Sequence, residues 1–188
     1  MMNGVFSEFE LDQLGVKFVD GEAYENMSCV GSIEEDMEAK TVTKKCRGVV
    51  FKEVTKGTGR GTLKISAHIP YAIYKKFFGM EHDDLLDGVS AYGQGSTHKE
   101  FSITAHVIDE DGIEKLKAYP KCAVRTNLSR KIENGAEEVA ELELEIAVMP
   151  DANGKGMYEA LVSELTDEDV KDTWMTAFEP DLVQITNA

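Results

Sequence analysis

The hydrophobic and polar positions of this chain change period several times, and each change marks an element. Between residues 49 and 69, Val49, Phe51, Leu63, Ile65, Ala67 and Ile69 alternate with other residues, the two-residue period of a strand with one buried face. Residues 56–61, Lys-Gly-Thr-Gly-Arg-Gly, interrupt that alternation and read as the tip of a hairpin. The period then lengthens. Ile73, Tyr74, Phe77 and Phe78 recur at helical spacing with Lys75 and Lys76 opposite, bracketed by Pro70 as a first-turn proline and Gly79 as a C-terminal cap. The expectation is a helix over residues 70–79 that lays an aromatic stripe on a sheet.

Strand period returns with Phe101, Ile103, Ala105 and Val107, up to a turn at residues 109–112. Residues 115–125 continue as a strand interrupted by Pro120, and residues 138–149 form another, closed by Pro150 and the turn Asp151-Ala-Asn-Gly154. After a last strand over residues 156–165, Thr166 is expected to cap a short helix. That helix has three acids in its first turn, Val170, Trp174 and Phe178 on one face, and Pro180 as its stop. The start of the chain is less regular: residues 10–19, with Gly15, suggest an extended arm. Residues 33–40 stay open between a helix begun by the capping box Ser32-Ile-Glu-Glu35 and a strand favoured by Thr41-Val-Thr43. The predicted class is mainly β: an antiparallel β-sandwich or open barrel with one packed α-helix and a short C-terminal helix. A single domain over 1–188 is expected, with an arm and loop region (1–45), a β core (46–165) and a C-terminal helix and tail (166–188).

Within this layout one strand stands out. Ala140-Glu-Leu-Glu-Leu-Glu-Ile-Ala-Val148 puts Leu142, Leu144 and Ile146 on one face and Glu141, Glu143 and Glu145 on the other. Same-face neighbours on a strand sit ~7 Å apart, where like charges repel by ~0.6 kcal/mol in water and ~2.4 kcal/mol at an effective dielectric of about 20. Two readings are open for the acidic row. It is paired across the sheet with Lys115, Lys117, Lys121 or Arg125 of the preceding strand, or it belongs to a negative wall that repels a polyanion.

Charge narrows the function classes. There are 35 acidic residues against 20 basic ones, a formal charge of -15, which argues against binding nucleic acid or an anionic membrane surface, because both depend on Lys and Arg. Cys29, Cys46 and Cys122 are odd in number and lack any Cys-x-x-Cys, so free, mostly buried thiols of a protein folded in a reducing cytoplasm are expected instead of disulfides or zinc. No export signal is expected at the N-terminus and no apolar run reaches bilayer length. His68, His82, His98 and His106 lie in separate segments without a ligand motif, and the glycines of residues 57–61 precede a strand, where a phosphate loop needs a helix. The turn at residues 151–154 begins like a calcium loop but lacks its later ligands. No Ser has a nucleophile context. No enzyme activity, cofactor or metal is expected.

The order of elements resembles a known family. A β-rich half leads to Ile69-Pro70 and Tyr-Ala-Ile-Tyr-Lys-Lys-Phe-Phe-Gly79. A loop and Lys99-Glu-Phe-Ser-Ile-Thr-Ala-His-Val-Ile-Asp-Glu-Asp-Gly112 follow, then Glu114-Lys-Leu-Lys-Ala-Tyr-Pro-Lys-Cys-Ala-Val124 and a turn at Asn134-Gly135 into the Glu/Leu strand. This resembles the major tail proteins, or tail tube proteins, of long-tailed phages with non-contractile tails, over most of the chain and least before Cys46 and after Leu165. The resemblance implies two antiparallel sheets flanked by a helix, hexameric rings stacked into a tube, and an electronegative lumen. It also implies loops and arms bridging subunits. The partners implied are further copies of the chain, the tape-measure protein, and tail terminator and distal tail proteins. DNA passes through without specific binding, no membrane is involved, and the location is the virion, after synthesis in the host cytoplasm. Glu141, Glu143 and Glu145 become candidate lumen-facing acids. Two alternatives stand beside it: the inner tube of a contractile tail or phage-like injection device, and a carbohydrate-binding β-sandwich of a baseplate or adhesin.

Overall fold

The computed structural model describes residues 6–27, 29–132, 134–135 and 139–185. Its strands are β1 (Glu10–Phe18), β2 (Glu25–Asn26), β3 (Val30–Cys46), β4 (Val49–Ala67), β5 (Glu100–Ile108), β6 (Glu114–Val124), β7 (Leu142–Val148) and β8 (Tyr158–Leu161). Helix α1 (Tyr71–Phe77) lies between β4 and β5, and α2 (Glu168–Ala177) follows β8. Hydrogen bonds link the strands into one continuous eight-stranded sheet in the order β2-β1-β5-β6-β7-β4-β3, with β8 on the part of β6 that β7 leaves free. Every strand pairing among the described residues is antiparallel. The mainly β, antiparallel class with two helices is the one the residue pattern predicts.

The sheet curls so that its inner faces meet. Leu14, Val16 and Phe18 of β1, Leu63 and Ile65 of β4, Phe101 and Ile103 of β5, and Leu144 and Ile146 of β7 fill a common core. Helix α1 closes this core: Ile73, Tyr74, Phe77 and Phe78 are all buried, and the Phe18, Phe77 and Phe101 rings form a tilted cluster with centroids 4.7–5.8 Å apart. Aromatic contacts of that geometry add to the stabilisation from area burial alone. The second helix covers the outer face of β5 and β6. Val170, Trp174 and Phe178 pack with Leu116 and Ala118, and the Trp174 indole N–H donates to the Lys117 carbonyl at 3.1 Å.

Several local expectations are corrected. Residues 10–18 are not an extended arm: Glu10–Phe18 is a core strand between β2 and β5, because Leu14, Val16 and Phe18 supply an alternating apolar face. Residues 33–40 are strand, since pairing of β3 with β4 overrides the local capping box. The hairpin tip is Arg47-Gly48, not residues 56–61. Both tip residues have positive φ (48° and 83°), as a two-residue hairpin turn of type I′ requires, and the run 56–61 lies within β4. Pro120 does not break β6, because its missing donor falls at a register shift opposite Phe101/Ile103. Helix α1 spans Tyr71–Phe77 with Pro70 before it. The cap of α2 is Asp167, whose side chain accepts from the Asp169 and Val170 N–H groups, in place of Thr166. Pro180 opens a 3-10 turn over Pro180–Val183, where a plain tail was expected.

Candidate assembly surfaces

The Glu/Leu strand lands where its alternation requires. Leu144 and Ile146 are buried and Leu142 lies at the core edge, while Glu141 and Glu143 are exposed and Glu145 is half-buried. Glu141 falls just before β7, and its carboxylate accepts from the Ser66 hydroxyl at 2.6 Å. Cross-strand pairing with the preceding strand, one of the two readings of the row, is not what forms. The side chains of β6 point their charges elsewhere: Lys115 to Glu8 and Glu159, Lys117 to Glu8 and Glu35, Lys121 to Glu100. The reason is topological. β6 meets β7 only at its end, at Cys122, Ala123 and Val124, with the Arg125 N–H just beyond donating to the Glu145 carbonyl at 2.7 Å, and β4 runs beside the whole of β7.

Register then sets the composition of the outer face. Glu145 sits opposite Lys64 and Glu143 opposite Ser66, and on the far side of β4 Glu34 and Ser32 flank the same two residues. Lys64 bonds Glu34 at 3.1 Å. Glu34, Asp36, Glu141, Glu143 and Glu145 therefore share one open sheet face on which β4 contributes a single lysine. Helix α2 covers the neighbouring part of the outer surface over β5 and β6 and leaves this part bare.

Inside the curl lies a charged cluster that the alternation does not reveal. Lys117, only 6% exposed, is 2.8 Å from both Glu8 and Glu35, and the Tyr119 hydroxyl donates to Glu35. These contacts tie β3 and the segment before β1 to β6, strands distant in the sheet order, and so hold the curl closed. Burial alone would lower the Lys117 pKa, but hydrogen bonds and charge from Glu35 and Glu8 outweigh it and raise the pKa above 10.5. Burial would likewise raise that of Glu8, yet Lys117 and Lys115 hold it below 4.5. Burial, with Glu35 beside it, pushes the Tyr119 phenol far above its ordinary value. Sequence reading missed this cluster, whose one visible signal was Lys117 sitting in a strand otherwise destined for the interior.

The third feature is the outer half of the β3–β4 hairpin. From Glu38 to Cys46 every residue is exposed, and from Val49 to Thr58 only Val54 is even half-covered. Eight residue steps of ladder at ~3.3 Å make an arm of about 25 Å. It displays Val42 at 59% exposure and Phe51 at 74%. At the base of the arm the chain makes a close backbone approach: Gly59 has φ +71°, and a Cβ there would come within 2.7 Å of the Gly154 carbonyl oxygen. The long loop between α1 and β5 is held against the helix by the Phe78–His98 edge contact at 5.0 Å and by the Ala91 N–H on the Met80 carbonyl. Its outer turn carries Asp83, Asp84, Leu86 and Asp87, all exposed.

Among the described residues no group of three or more His, Cys, Asp or Glu side chains has the arrangement of a metal site, and no helix is long and apolar enough to cross a membrane. His106 lies between Asp12 and Glu114 at 2.9 and 3.2 Å. The cysteines are not mostly buried: Cys122 is enclosed in the core, and Cys29, just before β3, and Cys46, at its end, are exposed. Asp151 accepts from the Asn153 and Lys155 N–H groups and from the Tyr158 hydroxyl, a closed turn.

No family model and no curated protein matches the chain. Among solved structures it is similar to the anti-feeding prophage cap, a tube-terminating cap seen by cryo-electron microscopy. The TM-score is 0.48 at 10% identity, covering 85% of this chain and 97% of that one. A likeness of this degree fixes neither family nor function.

Proposed function

We propose that this protein is a non-enzymatic structural subunit of a phage tail tube, assembling with copies of itself into stacked rings, with hexamers the expected ring. The observation that carries the reading is a pairing of two surfaces that folding does not use: a bare acidic sheet face, and beside it a 25 Å arm without a core. Isolated two-stranded ribbons are marginal in water, and an exposed arm bearing Val42, Val49, Val50 and Phe51 is a surface that assembly would cover. The face with Glu34, Asp36, Glu141, Glu143 and Glu145 then forms the lumen wall. A wall of like charge repels a polyanion and lets it slide, which suits a conduit for DNA during ejection. The tape-measure, terminator and distal tail proteins are the remaining partners of this reading, and the virion is its location.

Electron microscopy of the purified chain at high concentration tests it. Rings or tubes of uniform diameter are expected. A strictly monomeric protein under all salt conditions contradicts it, and saturable binding of an oligosaccharide by a monomer would favour the carbohydrate-binding alternative.

A further inference from the structure

The arm carries its own electrostatic conflict. Register places Lys40 directly opposite Lys56 and Lys44 directly opposite Lys52, with Val42 opposite Val54 between them. These six side chains lie on one face of the ribbon, four cations framing an apolar pair, and Val42, Lys44, Lys52, Val54 and Lys56 line a shallow groove of about 470 Å³. Like charges directly opposite one another destabilise a strand pair, and none of these four lysines has an ion pair among the described residues. The turn adds a further cation: Arg47 occupies a positive-φ position that Asn, Asp or Gly fills at less steric cost. Residues 39–58 hold six of the 20 basic residues and one of the 35 acidic ones, leaving 14 and 34 for the rest of the chain. This basic segment of a strongly acidic protein is thus exposed along nearly its whole length.

We infer that this lysine-framed face docks on a second copy of the chain, at the exposed turn of the loop between α1 and β5. That turn is the complement in both respects. Leu86, at 83% exposure, presents an apolar knob for the Val42–Val54 groove. Asp83, Asp84 and Asp87 surround it, exposed and without ion pairs among the described residues. The groove and the knob sit on different parts of the molecule, so the contact is head-to-tail and propagates from copy to copy, as ring or filament growth requires. The inference rests on the self-assembly reading and adds which surfaces meet.

Charge exchange tests it. Sedimentation velocity of the full chain is measured for the wild type, for Lys44→Glu/Lys52→Glu, for Asp83→Lys/Asp87→Lys, and for the four substitutions combined, with circular dichroism as the check on folding. Each double variant is expected to lose at least tenfold in association constant, and the combination to recover most of it. High salt is expected to weaken the wild-type contact, because exposed pairs are screened beyond ~10 Å at 0.1 M and more closely above it. Wild type that associates while the folded double variants associate equally well overturns this docking and leaves self-assembly standing, as does a folded combined variant that fails to recover. Wild type that stays monomeric overturns both. A DNA duplex retarded by wild type but not by Lys44→Glu/Lys52→Glu, without self-association, would assign the lysine face to nucleic acid instead.

Discussion

The inner and outer halves of the β3–β4 ribbon share two strands and one ladder, and they obey different rules. In the inner half Leu63, Ile65 and Ala67 alternate inward with Lys64, Ser66 and His68 outward, and every inward side chain meets the core. In the outer half Lys40, Val42 and Lys44 of β3 alternate with Thr41 and Thr43, and on both strands only Val54 is even half-covered. The inner half is explained by folding. The outer half is not: its lysines repel across the ladder and its Phe51 lies in water. A stretch of nearly forty residues is therefore half fold and half arm, and the arm is what an assembly partner would complete.

The sharpest way to break this comparison is truncation in each half. Leu63→Ala is expected to cost about 3 kcal/mol, the usual penalty for a cavity in a closed core, read by urea denaturation. Phe51→Ala is expected to leave monomer stability within about 0.5 kcal/mol, as exposed substitutions do, while weakening self-association. Equal losses for the two would show that the arm belongs to the folded core after all.

The inner half is also tied down by charge. Lys117→Ala leaves Glu8 and Glu35 together without their shared cation and is expected to cost about 3 kcal/mol. The pH dependence follows from the directions of the shifts. The pKa of Glu8 is depressed below 4.5 on folding, so its contribution is complete above that value and is lost as pH falls through the lower folded pKa. The pKa of Lys117 is raised above 10.5, so its contribution is complete below that value and fades as pH rises through the folded pKa. Thermal melts across pH should show the wild-type stability falling below about pH 4.5 and above about pH 10.5. Lys117→Met should flatten both limbs. Unchanged limbs in that variant would mean that the cluster does not hold the curl.

How much of this was legible beforehand follows the range of the interactions. The α1 stripe, the alternation of β5 and β7, and Val170, Trp174 and Phe178 of α2 are local patterns, and local patterns are written in consecutive residues. The strand identity of residues 33–40 was not, because the acidic stretch there gains its pairing from residues 61–65 of β4. The turn at Arg47-Gly48 lacks the Asn-Gly or Asp-Gly signature, and the glycine-rich run 56–61 carries the stronger local turn signal. The neighbour of the glutamate row is hidden for the same reason: chain order suggests β6 as one of two readings, and the sheet places β4 along the whole of β7. Likewise Lys117, Glu8 and Glu35 come together only once the sheet curls.

The smallest expected effect concerns the acidic face. Glu143→Gln with Glu145→Gln should raise monomer stability by a few tenths of a kcal/mol at low salt, since like charges are relieved, and by less at high salt. A loss of stability instead would mean that the acids are paired and that this face serves the fold.

Reconstruction of the assembled protein by cryo-electron microscopy tests the central claim most directly, through the radial position of Glu143 and Glu145 and the path of the Arg47-Gly48 tip. The account predicts both glutamates on the bore and the tip seated on a neighbouring copy. Glutamates on the outer surface, with the tip free in solvent, would contradict it.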